Sequence, residues 1–179
     1  MSDYYELLGL PRSLRLSLED LQQRYYDLSR KLHPDRFMRK PEAERQRALE
    51  MSSTLNDAYR TLKEPIKRAH YLLNLEGFDM GEQRSKDVPP ELLEEVFELN
   101  MVLEEMRGGD ESARPQLAQA EGNFTKLLSD VDRQLSELFG QYDQSRSREM
   151  LAEIRGALNR RKYIQNLVDE VHRELAPTA

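Results

Sequence analysis

Apolar residues recur at steps of three and four along most of this chain, the spacing that stacks side chains on one face of an α-helix. Leu18, Leu21, Tyr25, Leu28 and Leu32 make one such stripe, and Ala48, Met51, Leu55, Ala58 and Leu62 make a second. Two amphipathic helices bury their stripes against each other only where the chain folds back between them. His33-Pro34-Asp35 supplies the reversal, because the proline ring drives the preceding residue out of the helical region and removes a backbone donor. All three residues are therefore expected on an exposed loop at the tip of a helical hairpin. Ser17, with Asp20 three residues on, makes a capping-box start for the first helix. Pro41, followed by Glu42 and Glu44, suits the first turn of the second.

Shorter elements flank the hairpin. Asp3 to Leu8 predicts a short helix with Tyr4, Leu7 and Leu8 inward, stopped by Gly9 and Pro11. Pro65 interrupts after Leu62-Lys63-Glu64, and Ile66, Ala69, Leu72 and Leu73 begin a fourth helix that Gly77 ends. Apolar periodicity is then lost over residues 79–90, which finish in Val88-Pro89-Pro90 and read as a hinge. Three long patterns follow. The first, Pro90 to Met106, carries Leu92, Val96, Leu99, Leu103 and Met106. The second, Glu111 to Phe139, carries Leu117, Ala120, Phe124, Leu127, Val131, Leu135 and Leu138. The third, Ser145 to Leu175, carries Leu151, Ile154, Leu158, Ile164, Val168, Val171 and Leu175. Short connections make these antiparallel neighbours, hence a three-helix bundle. The chain is read as all-α, with an N-terminal domain over 1–78, a linker over 79–89 and a C-terminal bundle over 90–179.

Composition narrows the chemistry. Among 179 residues, 34% are charged and none is cysteine, which removes disulfides, thiolate metal sites and cysteine nucleophiles. No apolar run approaches a membrane span, and no signal or transit pattern opens the chain, so a cytoplasmic protein is expected. Residues 1–77 hold 14 Lys+Arg against 12 Asp+Glu, whereas residues 78–179 hold 13 against 21. So acidic a second half argues against a nucleic-acid backbone as its ligand, because counterion release needs clustered positive charge.

His33-Pro34-Asp35 alone reads equally as an ordinary Pro-Asp turn. Its frame adds to it: Asp3-Tyr4-Tyr5-Glu6-Leu7-Leu8-Gly9-Leu10 precedes it and Asn56-Asp57-Ala58-Tyr59-Arg60-Thr61-Leu62 closes the second helix. Together they resemble a J-domain, the module by which co-chaperones engage DnaK-type ATPases. The resemblance implies that His33, Pro34 and Asp35 touch the chaperone, with Asp35 pairing to one of its arginines. It also implies that Arg24, Arg30 and Lys31, on the polar face of the first hairpin helix, dock on an acidic surface there. A merely solvated face would look similar.

The stretch Glu64-Pro65-Ile66-Lys67-Arg68-Ala69-His70-Tyr71-Leu72-Leu73, leading to Gly77-Phe78-Asp79, is not general J-domain equipment. It resembles the HscB family of iron-sulfur assembly co-chaperones, in which a J-domain precedes a substrate-holding helical bundle. That resemblance implies two protein partners, an HscA- or DnaK-type ATPase and an IscU-type scaffold, and no enzymatic activity. On the first bundle helix, Leu93, Phe97 and Met101 form a second apolar line beside the first, flanked by Glu94, Glu95 and Glu98. The line suits either a broad core-facing stripe or a partner surface rimmed with acid. By resemblance, Leu93, Phe97, Glu98 and, on the last helix, Tyr163 fall where the family meets the scaffold. Departures occur at Glu94, where the family often has an apolar residue, and at Asn100 and Met101, where it favours charge. The zinc-binding Cys-x-x-Cys pairs of some members are missing, so neither metal nor cofactor is expected.

Two other functions fit less well. A J-protein serving a general DnaK with unfolded clients would need extended clefts or zinc modules. A metallohydrolase built on His33, Asp35, His70 and His172 would need better ligand spacing than these histidines offer.

Overall fold

The helical periodicity is realised as seven α-helices, without a strand, in a computed structural model that describes residues 2–78 and 88–176. They are α1 (Tyr4–Leu7), α2 (Leu18–Leu32), α3 (Glu42–Lys63), α4 (Pro65–Leu75), α5 (Leu93–Arg107), α6 (Arg114–Ser145) and α7 (Arg148–Leu175). By internal contact the chain divides into two compact units. One is Met1–Asp79 with Tyr142–Ser145, the other Met80–Gln141 with Arg146–Ala179. The first unit thus includes four residues from the end of α6, beyond the 1–78 span read from sequence. Residues 79–87 of the expected linker lie outside the described residues.

In the first unit α2 and α3 pack as the expected hairpin. Leu21, Ala48, Leu55, Ala58 and Leu62 are buried between them and their neighbours, together with Tyr5, Leu8, Leu14, Ala69, Leu72 and Leu73. A ring stack of Tyr25 on Tyr59 at 4.2 Å and a hydrogen bond from Tyr25 Oη to Asn56 Oδ1 at 2.7 Å tie the hairpin on one flank. Tyr71 stacks on Tyr4 and accepts its backbone N–H, which joins α4 to α1. Leu18 and Met51 belong to the periodic stripes yet are exposed. Periodicity places a residue on a face, but only the length of the facing helix decides whether that face is covered at its ends.

Local signals set the boundaries. Ser17 caps α2 by accepting from Asp20 N, as its spacing predicts. Pro41 lies one position before α3 rather than within its first turn. The expected loop after α2 is instead a 3₁₀ turn over Pro34–Phe37. Helix α6 runs past Phe139 because Tyr142 continues its buried face, and the turn to α7 passes through Arg146 at φ +56°. That delays the start of α7 from Ser145 to Arg148.

The second unit is the expected three-helix bundle. Its direction is written in cross-helix pairs. Glu121 meets His172, Asp132 meets Arg161 and Gln134 meets Arg160, so α6 and α7 run antiparallel. Glu91 meets Arg160 while Arg107 meets Glu170 and Glu174, so α5 runs parallel to α7. The core holds Val96, Leu99 and Leu103 of α5, Leu117, Phe124, Val131 and Leu135 of α6, and Leu151, Ile154, Leu158, Ile164 and Val171 of α7.

Candidate functional site

The 3₁₀ turn after α2 presents its side chains outward for a local reason. Pro34 occupies the first helical position, where its missing N–H costs nothing. His33 flanks the turn from the preceding position and closes it twice: its carbonyl accepts from Arg36 N at 3.0 Å and its Nδ1 accepts from Asp35 N at 3.2 Å. An Nδ1 that accepts leaves the ring proton on Nε2. The 3.6 Å approach of the same Nδ1 to Asp35 Oδ2 is then not a hydrogen bond, since one nitrogen cannot both accept from the amide and donate to the carboxylate. Asp35 therefore closes the turn with its backbone alone, and its carboxylate, 79% exposed, is left for a partner.

Cations surround this turn. Arg30 and Lys31 at the end of α2, with Arg36, Arg39 and Lys40 beyond, are exposed, and no ion pair or hydrogen bond of their side chains joins them to another described residue. Arg24 differs. It pairs with Asp20 at 3.0 Å and donates Nη1 to the carbonyls of Gly9 at 2.8 Å and Leu8 at 3.3 Å. Gly9 sits at φ +67°, a conformation that favours glycine, and a Cβ there would lie 2.9 Å from Arg24 Nη1, so a larger residue would strain the backbone and make the guanidinium shift. Of the three candidate docking cations, Arg24 has structural work of its own, whereas Arg30 and Lys31 are uncommitted.

In the second unit, α5 is apolar on two faces. Val96, Leu99 and Leu103 are buried, while Leu93, Phe97 and Met101 stand 56%, 67% and 51% exposed in a line with a step of four. Of the two readings the sequence allows for this line, a core stripe is thereby ruled out. Glu94 and Glu98 border it, both exposed. An exposed apolar line of this kind on a helix whose opposite face already fills the core suits a protein partner. Tyr163 is half-buried on α7, where burial and then Glu170 raise its phenol pKa above the ordinary value. Among the described residues no ring contact joins it to Phe97; Leu93, Phe97 and Glu98 lie on α5, and Tyr163 lies on α7, a helix that packs on α5.

Sequence reading passed over Arg68 and Asp143. Arg68 is buried on α4 and Asp143 lies near the end of α6, and both bond to the backbone at Leu14. A charged residue inside the apolar pattern of α4 was the available signal. Among the described residues no three His, Asp or Glu side chains gather as an ion-holding group, and no helix is long and apolar enough to cross a membrane.

Comparison with known proteins finds two family matches in succession along the chain. The DnaJ domain matches residues 3–71 and the HSCB C-terminal oligomerisation domain matches residues 88–172. Among solved structures, the chaperone HscB from Vibrio cholerae is 33% identical with a TM-score of 0.64, and the match covers 96% of each chain. The human co-chaperone protein HscB is 28% identical with a TM-score of 0.71, over 99% of this chain and 84% of that one. A J-domain with its polar turn exposed, joined in one chain to a bundle of this kind and matched nearly end to end by a relative of this identity, makes the chain a member of the HscB family of co-chaperones.

Proposed function

We propose that this co-chaperone binds an IscU-type iron-sulfur scaffold protein on the outer face of α5, delivers it to a DnaK-type chaperone such as HscA, and stimulates that chaperone's ATPase, in the cytoplasm. The observation that carries the scaffold half is the exposed line of Leu93, Phe97 and Met101. Covering it with a partner removes apolar surface from water at about 25 cal/mol per Å², and the bordering carboxylates Glu94 and Glu98 give the contact orientation. Tyr163 would add the aromatic edge of the same surface from α7.

The chaperone half rests on the turn geometry. Asp35 offers an exposed carboxylate whose backbone is already satisfied, so pairing it with a chaperone arginine requires no rearrangement of this chain. Arg30 and Lys31 add uncommitted positive charge alongside, which steers the domain onto an acidic surface. No bond is made or broken by this chain. Its contacts favour the ATPase-active arrangement of the partner, and differential binding is all such a shift needs.

Titration calorimetry against an IscU-type scaffold tests the reading, with a Leu93→Ala, Phe97→Ala, Tyr163→Ala triple variant alongside. Micromolar-range binding that the triple variant loses supports the scaffold and its site together. Absence of binding by the intact protein would sink the scaffold reading and move the client elsewhere.

A further inference from the structure

Between α5 and α6 lies a groove of 460 Å³ that the outer α5 line does not account for. The α5 side carries Glu95, Glu98 and Glu105, the α6 side Gln119 and Asn123, and the apolar part of the lining includes the buried Leu99 and Phe124. No lysine or arginine lines it. Three arginines of the bundle are paired elsewhere: Arg107 with Glu170 and Glu174, Arg160 with Glu91, Arg161 with Asp132. Among the described residues the three groove glutamates have no ion pair, and Glu95 and Glu98 stand one turn apart, where like charges repel.

Unpaired carboxylates on one side, neutral amides on the other and an apolar part of the lining together select an occupant. It carries lysine or arginine beside apolar side chains, and an acidic or neutral segment gains nothing from the α5 wall. The bundle of a second copy is a poor candidate, because that half of the chain is itself acidic. Met101 and Glu98 belong both to the groove lining and to the outer α5 surface, so the two surfaces are continuous and one partner reaches both.

We infer that the partner surface extends over α5 onto the α6 wall, and that the groove takes a basic, partly apolar segment of the same IscU-type scaffold. This rests on the scaffold reading above. Gln119 and Asn123 then act as residues that shape specificity without belonging to the Leu93–Phe97 face.

Full-length protein is titrated with an IscU-type scaffold at low and moderate salt, with folding of each variant checked by its thermal melt. Gln119 and Asn123 are exposed, so both positions tolerate charge. The double variant Gln119→Arg, Asn123→Arg is expected to bind about tenfold more weakly and with a shallower salt dependence, because it places cations opposite the glutamates. Gln119→Glu, Asn123→Glu is expected to bind a few-fold more tightly, a gain that misfolding does not mimic. Leu93→Ala, Phe97→Ala weakens binding but keeps the wild-type salt dependence. Should wild type bind and both charge variants match it in affinity and salt dependence, the groove inference alone is overturned. If wild type fails to bind any such scaffold, the underlying reading falls and the groove assignment with it. A dimer in sedimentation that the arginine variant abolishes would put a second copy in the groove and also overturn the assignment.

Discussion

Arg68 and Leu14, 54 positions apart, are joined by a hydrogen bond from the guanidinium Nε to the Leu14 carbonyl at 2.8 Å, with both residues buried. The same guanidinium donates Nη1 to Leu62 O at 2.7 Å. The segment it holds is fixed from other directions too. Tyr5 Oη donates to Ser13 O at 2.7 Å, and the Asp143 carboxylate accepts from Leu14 N at 2.8 Å and Arg15 N at 2.9 Å. Burial pulls the Arg68 guanidinium below its ordinary pKa, and the neighbouring Tyr5 phenol and Asp143 carboxylate oppose that pull. A buried cation is tolerable here because its donors meet carbonyl oxygens.

Arg68→Met keeps the volume and removes both donors, leaving the Leu14 and Leu62 carbonyls unmet. The expected loss is about 2 to 4 kcal/mol of unfolding free energy. Urea denaturation followed by circular dichroism measures it. A loss below about 0.5 kcal/mol, the scale of an indifferent surface change, would mean the carbonyls find water and the network is not structural.

Asp3 makes the N-terminal helix sensitive to acid. Burial pushes its carboxyl up, but the hydrogen bond from Glu6 N and the Arg12 guanidinium outweigh this and hold the folded-state pKa below the ordinary value. A folded pKa below the unfolded one stabilises fully above the ordinary carboxylate range, near 3.9, and the contribution fades as pH falls through the folded value. Thermal melts of wild type and Asp3→Asn between neutral pH and pH 2 should therefore show a gap that closes in acid. A gap constant across that range would refute the linkage.

Asp35→Asn alters an exposed carboxylate whose backbone, not its side chain, closes the turn. Its melting temperature should stay within about 2 °C of wild type, as for an ordinary surface change. Stimulation of the chaperone ATPase, measured as phosphate release in single turnover, should fall to the unstimulated rate. Retained stimulation would separate this turn from the chaperone contact.

Two residues of α5, two positions apart, should divide stability from binding. Leu99→Ala empties core volume and is expected to cost about 2 to 5 kcal/mol, whereas Phe97→Ala removes an exposed ring and should change stability by less than about 0.5 kcal/mol. Scaffold affinity should respond in the opposite order. Equal destabilisation by the two changes would place Phe97 in the core after all.

Much of this molecule was legible in its residues. Steps of three and four fixed which stretches are helices, and Ser17, Pro34, Pro65 and Gly77 marked their limits, because caps and breakers act over a single turn. The exposed position of His33-Pro34-Asp35 followed from proline chemistry alone, even though the turn is 3₁₀ rather than a loop. Long-range facts were not legible. The sequence allowed Leu93, Phe97 and Met101 either face of the bundle, and only the filling of the core by Val96, Leu99 and Leu103 left that line outside. Arg24 read as a docking cation, but the approach of α1 gave it the Gly9 carbonyl. Arg68 and Asp143 acquired meaning only where folding brought both to Leu14. Helix formation depends on neighbours along the chain, so sequence determines it; burial and charge pairing depend on neighbours in space, which tertiary structure alone decides.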